Sequence, residues 1–241
     1  MNSPPLIIIP TVNEGQTIRR LCVEILATVE ADILVVDDAS QDQTREELQR
    51  LANNHPGRFH TIYRQVAAGI GTAYLAGFRW ALAHDYPVVI QMDGDGSHQP
   101  CSLIAMIEVL QSFPLVVGSR YVAGARVEDT LIRRCFSRIG NFLVLSIIPG
   151  PIRDMTSGFN GWQSAHLNRL LVEPFFSHGH AFQMELKTRA LQEKMVFWEL
   201  PITFKPRASG KSKLRLGHFW ESLSLLRHLG RESRAQNPVQ S

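Results

Sequence analysis

Pro87-Val88-Val89-Ile90-Gln91-Met92-Asp93-Gly94-Asp95-Gly96-Ser97-His98 is the stretch on which the fold turns. Its first half is a short apolar run, the pattern of a strand buried on both faces. Its second half sets two carboxylates one residue apart among glycines. In an open α/β sheet, ligands bind beyond the carboxyl ends of the strands, which is where this pair would stand. Outward from it the alternation repeats. Residues 5–10 (PLIIIP), 32–37 (DILVVD), 58–63 and 115–119 read as strands. Residues 14–29, 42–53, 71–84 and 100–112 read as helices between them, the last with proline suitably at its start. Such alternation predicts a mostly parallel sheet with helices on both faces. Further on, 158–163 and 195–204 read as strands and 181–193 as a helix, with a basic loop at 210–216 and a polar, disordered tail at 231–241.

Bulk properties narrow the function. The 241 residues suffice for one large domain with a substantial core. Hydrophobic residues make up 44% and charged residues 20%, which is ordinary for a globular protein and excludes a disordered or fibrous class. Cys22, Cys101 and Cys135 are few, odd in number and without metal-ligand spacing, which points to reduced thiols in a cytosolic setting. The apolar run near the N-terminus is too short for a signal peptide, and no run is long enough to span a membrane. The net charge of +3 is uneven. Residues 205–234 carry +6, leaving −3 for the rest, so a basic tail follows a mildly acidic body and suits an anionic partner.

Three strand ends carry polar clusters: residues 10–14, 37–40 and 93–98. A dinucleotide-binding fold would place G-x-G-x-x-G after the first strand, and neither that motif nor a phosphate-binding P-loop is present. Gly210-Lys211-Ser212-Lys213 ends like a P-loop but lacks its preceding glycine and strand. Two close carboxylates are hard oxygen ligands suited to Mg²⁺ or Mn²⁺, which are held by one or two carboxylates plus substrate phosphates. The bland reading of an isolated Asp-Gly-Asp is a polar turn. Its place on the sheet and the second carboxylate pair, Asp37 and Asp38, favour the metal.

Eight segments in order extend the argument: I-P-T-V-N-E (9–14), V-V-D-D-A-S (35–40), G-I-G-T-A-Y (69–74), M-D-G-D-G-S-H-Q-P (92–100), V-G-S-R-Y (117–121), D-M-T-S-G-F (154–159), F-Q-M-E (182–185) and P-R-A-S-G-K-S-K-L (206–214). Together they resemble the family 2 glycosyltransferases of the GT-A fold, and within them the dolichol-phosphate (polyprenol-phosphate) mannosyltransferases. The resemblance implies roles. Pro10, Glu14, Asp37, Asp38, Gly69, Gly71 and Asp93 would bind the nucleotide-sugar donor. Asp93, Asp95 and Gln183 would hold the metal. Asp95, Arg120, Arg207 and Lys213 would be catalytic, and Arg120, Arg133 and Ser212 would meet the acceptor phosphate. The chain departs from the family pattern at Val12 (usually Tyr), Ala67 (usually Lys), Gly94 and Gly96 (usually Ala and Leu) and Asn160 (usually Arg).

The implied activity is inverting transfer of a hexose, mannose from GDP-mannose first among the options, onto a polyprenyl or dolichyl phosphate at a membrane surface. The rivals are a family 2 transferase using a UDP-sugar or another lipid acceptor, and a non-catalytic nucleotide-sugar-binding subunit. Nucleic-acid binding ranks last, because the basic tail has one aromatic pair, Phe219-Trp220, and no recognisable fold for it. Residues 1–214 are expected to form the GT-A domain and 215–241 a basic amphipathic helix and tail. Leu216, Phe219, Trp220, Leu223 and Leu226 share one helical face with basic flanks, as in an interfacial helix. A second candidate for docking is 142–148 (FLVLSII), which could equally pack on the core. The expected location is cytoplasmic, peripheral on the cytoplasmic face of a membrane, with a membrane-anchored partner subunit as an option. Single residues also have bland readings: Arg133 and Arg134 as an exposed helix face, His98 as a turn residue, Glu185 as support for a neighbouring arginine.

Overall fold

The computed structural model of the chain describes residues 3–148 and 150–206, with residues 131–133 and 136 as backbone alone. The segments expected at 210–216, 216–229 and 231–241, the boundary at 214, and Arg207, Ser212 and Lys213 lie outside the described residues.

Strands β1 (Leu6–Thr11), β2 (Asp32–Asp37), β3 (Phe59–Tyr63), β4 (Val88–Gln91) and β5 (Leu115–Ser119) alternate with helices α1 (Gly15–Thr28), α2 (Thr44–Asn54), α3 (Ile70–Ala83) and α4 (Ser102–Val109). Then follow β6 (Arg126–Val127), α5 (Leu131–Ile147), β7 (Asn160–Gln163), α6 (Ser164–Leu170), α7 (Phe182–Gln192), β8 (Phe197–Pro201) and β9 (Thr203–Phe204). Seven strands form one sheet in the order β3-β2-β1-β4-β7-β5-β8. All pairings are parallel except those of β7, which runs antiparallel to β4 and β5.

The all-apolar strands explain the layers. Successive side chains point to opposite faces, so Leu6 and Ile8 enter one core and Ile7 and Ile9 the other. The first core packs against Tyr74 and Phe78 of α3, Leu167 of α6 and Phe182 and Leu186 of α7. The second packs against Ile18 and Ile25 of α1, Leu48 of α2 and Met106 of α4. Helix spacing of these residues delivers one apolar stripe per helix.

One element differs from expectation. The strand expected over 195–204 divides at Ile202: β8 stays in the main sheet, whereas β9 pairs with β6. Pro201 has no N–H for the ladder, and the Ile202 N–H donates to Ser119 (3.2 Å) while its carbonyl accepts from Arg126 (3.0 Å). The 142–148 run, for which docking and core packing are both open, is the end of a long amphipathic helix. Val144 and Ile148 are buried, whereas Ile139, Phe142, Leu143 and Ile147 are exposed.

Candidate active site

The ends of β1, β2 and β4, the start of α3 and the segment before α7 surround one cleft of about 220 Å³ that opens to solvent. Pro10, Glu14, Asp38, Gly69, Asp93 and Asp95 all line it, beside Val12, Gly94, Gly179 and His180. Four carboxylates thus share a cleft formed from segments far apart in sequence.

Each is placed by backbone geometry. The Asp95 carboxylate accepts from the Ser97 N–H (3.0 Å) and Ser97 Oγ, closing the tight turn after β4. Asp93 receives the Tyr74 hydroxyl (3.2 Å) from α3, and burial followed by the Asp93 charge raises the pKa of that phenol. Gly158 packs beside it: a Cβ there would stand 2.7 Å from Asp93 Oδ2, so a larger residue would push the carboxylate aside. Glu14 accepts from Thr11 Oγ1 (3.2 Å) and approaches the turn closely enough that a Cβ on Gly94 would lie 3.1 Å from its carboxylate. Asp38 draws the loop after β3 inward: it pairs with Arg64 (2.8 Å) and accepts from the N–H groups of Ala68 (3.3 Å) and Gly69 (3.2 Å).

Gly69 leads into α3 with φ +98°, a conformation that glycine alone adopts without strain. Neither it nor Gly71 tolerates a side chain, since a Cβ on either would sit 2.7 Å from the His178 carbonyl. That carbonyl accepts from the Gly71 N–H (2.8 Å), so the glycines bring the 178–180 segment to the cleft wall as well as opening the cleft itself.

Other residues picked from the sequence stand elsewhere. Asp37 is fully buried behind the cleft, accepting from the Ser40 N–H (3.2 Å) and Arg45 Nε (2.7 Å). Gln183 is buried in a cluster of amides, its Oε1 accepting from Gln91 (3.2 Å) and Asn160 (3.1 Å). Glu185 binds the N–H groups of Phe176 (3.0 Å) and Ser177 (2.9 Å), the Ser177 hydroxyl and Arg189 (2.8 Å), which makes it the clasp of the loop before α7. His98 is buried between Phe159 and Phe204, and its Nδ1 accepts from the Asp93 N–H (3.4 Å). Burial lowers its pKa, so the ring is neutral and packs rather than carries charge.

Arg120 lies in a second, smaller pocket beyond His98, lined by Tyr121, Val127, Asp129, Arg134, Ser137, Arg138 and Phe204. Arg133 lies in the first turn of α5, and its side chain is outside the described residues. The Arg120 guanidinium is gripped by fully buried Asp154 through two bonds of 2.8 Å and reaches Thr156 Oγ1 (2.7 Å). Burial alone would raise the Asp154 pKa, but the Arg120 charge outweighs it and holds the carboxyl below its usual range. Asp154 carried no role in the sequence reading, although it opens the D-M-T-S-G-F segment. Lys187, also unassigned there, is wholly buried on α7.

The family pattern described as "Glycosyl transferase family 2" matches residues 6–171. The chain belongs to glycosyltransferase family 2. It is 35% identical over 221 residues to "Polyprenol monophosphomannose synthase" of Mycolicibacterium smegmatis, covering 90% of this chain and 83% of that one. It is 34% identical to "Undecaprenyl-phosphate mannosyltransferase" of Micrococcus luteus, covering 90% of each. With "Dolichol-phosphate mannosyltransferase" of Pyrococcus furiosus it shares 32% identity over 93% of this chain and 62% of that one. Among solved structures, glucosyl-3-phosphoglycerate synthase from Mycobacterium tuberculosis superposes with a TM-score of 0.68 at 18% identity, covering 99% of this chain and 82% of that one. The same enzyme in complex with Mn²⁺, UDP-glucose and phosphoglyceric acid gives 0.67 at 16% identity, over 95% and 80%. The family 2 chain therefore has the GT-A fold, and it is a hexosyltransferase by kinship.

Proposed function

We propose that this family 2 enzyme transfers mannose from GDP-mannose, with inversion, onto a polyprenyl phosphate at a membrane surface. The observation that carries the reading is the pairing of two sites. An acidic cleft, closed by the Asp93-Gly94-Asp95 turn, adjoins an arginine-lined pocket across His98. The names of the three mannosyltransferase relatives support the same assignment.

Asp93 and Asp95 suit a divalent ion that is completed by donor phosphates. Among the described residues, no three His, Cys, Asp or Glu side chains cluster to hold a metal, so donor phosphates would have to complete the coordination. When bound, such an ion neutralises charge developing on the leaving diphosphate. The remaining chemistry falls to the chain. An acceptor phosphate is already anionic near neutral pH and attacks without a general base, unlike a hydroxyl. Glu185 and His98 fit that view, since one is committed to donors of its own loop and the other is held neutral. What the acceptor needs is cations, and Arg120, Arg134 and Arg138 line the smaller pocket, outnumbering its one carboxylate, Asp129.

The test is a screen of GDP-mannose, UDP-glucose and UDP-N-acetylglucosamine, each with polyprenyl phosphate and Mg²⁺ or Mn²⁺. Mannosyl transfer from GDP-mannose is the expected product. Turnover confined to a UDP-sugar would move the chain to another donor, and none with any lipid phosphate would end the reading.

Docking on the bilayer is assigned to α5 together with the tail. Among the described residues, no helix is long and apolar enough to cross a membrane. Ile139, Phe142, Leu143 and Ile147 form an exposed apolar stripe at helical spacing, one turn beyond Arg134 and Arg138. Replacing Phe142 and Leu143 together by serine should cut co-sedimentation with anionic liposomes several-fold and slow transfer to long-chain polyprenyl phosphate. Transfer to a short, soluble prenyl phosphate should be spared. Equal sedimentation of variant and wild type would remove α5 from the interface.

A further inference from the structure

A lysine on a helix ordinarily points to solvent. Lys187 does not: it is wholly buried on α7, and its Nζ donates to the carbonyls of Met155 (3.2 Å) and Ser157 (2.7 Å). Burying an ammonium is costly, and here burial pulls its pKa down to about 7 against the opposing pull of Asp154, Glu199 and Asp93. Two carbonyls held by one buried amine tie down a segment that has no regular structure.

The position of that segment gives the point its meaning. At one end Asp154 grips Arg120. At the other, Gly158 lies against the Asp93 carboxylate so closely that even a methyl group would collide with both oxygens, at 2.7 and 2.9 Å. Between them, Ser157 Oγ binds the Gly118 carbonyl (2.6 Å) and the Met155 N–H binds Asn141 (3.2 Å). A displacement of Met155 and Ser157 would therefore reach Asp93 through backbone contact.

We propose that Lys187 is a positioning residue: by pinning the Met155 and Ser157 carbonyls it sets Gly158 against Asp93 and fixes that carboxylate in the orientation the divalent ion requires. The inference rests on the reading of Asp93 as a metal ligand. Groups that orient a ligand typically contribute roughly 10–100-fold to metal affinity.

The experiment is a direct titration of the full chain with Mn²⁺ in the presence of GDP, read by water-proton relaxation rather than by turnover. Lys187→Met keeps length and removes both donors; it should bind Mn²⁺ roughly tenfold or more weakly. GDP binding in EDTA should be unchanged, a split that a merely structural role would not produce. Lys187→Gln, shorter and uncharged, is the second variant should the first not fold, and should fall between Met and wild type. Gly158→Ala, with Lys187 intact, should weaken Mn²⁺ similarly, and combining it with Lys187→Met should add little further loss. Wild-type Mn²⁺ affinity in either Lys187 variant, or equal losses of GDP and Mn²⁺ binding, would overturn the proposal. A wild-type protein that binds no Mn²⁺ with GDP would remove the metal reading and the proposal together.

Discussion

Asp95→Asn is expected to abolish transfer while the chain keeps its fold. The carboxylate lies on the cleft wall, and its Oδ1 accepts from the Ser97 N–H and hydroxyl. Asparagine keeps an acceptor oxygen of the same size, so the turn after β4 can close as before. What disappears is the carboxylate proposed to hold the divalent ion against the donor diphosphate. Removing a charge-stabilising group from a developing leaving group costs several kcal/mol of barrier, at least ~100-fold in rate. The measurement pairs turnover with a thermal melt. Loss of activity with an unchanged melting temperature is the expected pair of results. Near-wild-type turnover, or undiminished wild-type turnover in excess EDTA, would remove the metal from the proposed mechanism.

The same turn marks what the sequence made legible. Strands buried on both faces are unbroken apolar runs, so β1, β2, β4 and β5 and the parallel sheet they build could be read directly. Carboxylates at the ends of such strands were legible as a site for the same reason, because a sheet exposes its polar ends to one crevice. Adjacent Asp37 and Asp38 were not separable. Whether a strand-end residue faces the crevice or its back depends on where the pleat gives way to the turn, and residue types do not encode that point. Only Asp38 lines the cleft, while Asp37 meets Arg45 behind it. Lys187 was hidden because a lone lysine in a helical stretch reads as solvated, whereas α7 is buried on nearly every face. Arg120 was visible as a cation near the site, but its partner was not: Asp154 lies 34 residues away, in a segment without periodicity.

Asp154→Ala is expected to be the most destabilising of the substitutions considered. Arg120 would be left with a side chain only 13% exposed and without its counter-charge. Removing one partner of a buried pair typically costs about 3–5 kcal/mol, because the remaining ion stays desolvated. For a chain of this size that corresponds to a fall in melting temperature of roughly 6–20 °C. The pair resists acid as well. The folded pKa of Asp154 is depressed below the ordinary carboxylate value, so its contribution is complete above that value and is lost only as pH falls through the lower, folded one. The double substitution Arg120→Met with Asp154→Leu removes both charges from the buried site and should recover most of the stability lost in Asp154→Ala. It should not recover transfer to polyprenyl phosphate, since the cation proposed to meet the acceptor is gone. Thermal melts and turnover of the variants separate the two roles. A double variant that is stable and fully active would show that Arg120 serves only the fold, and a stable Asp154→Ala would show that Arg120 finds its charge balance elsewhere.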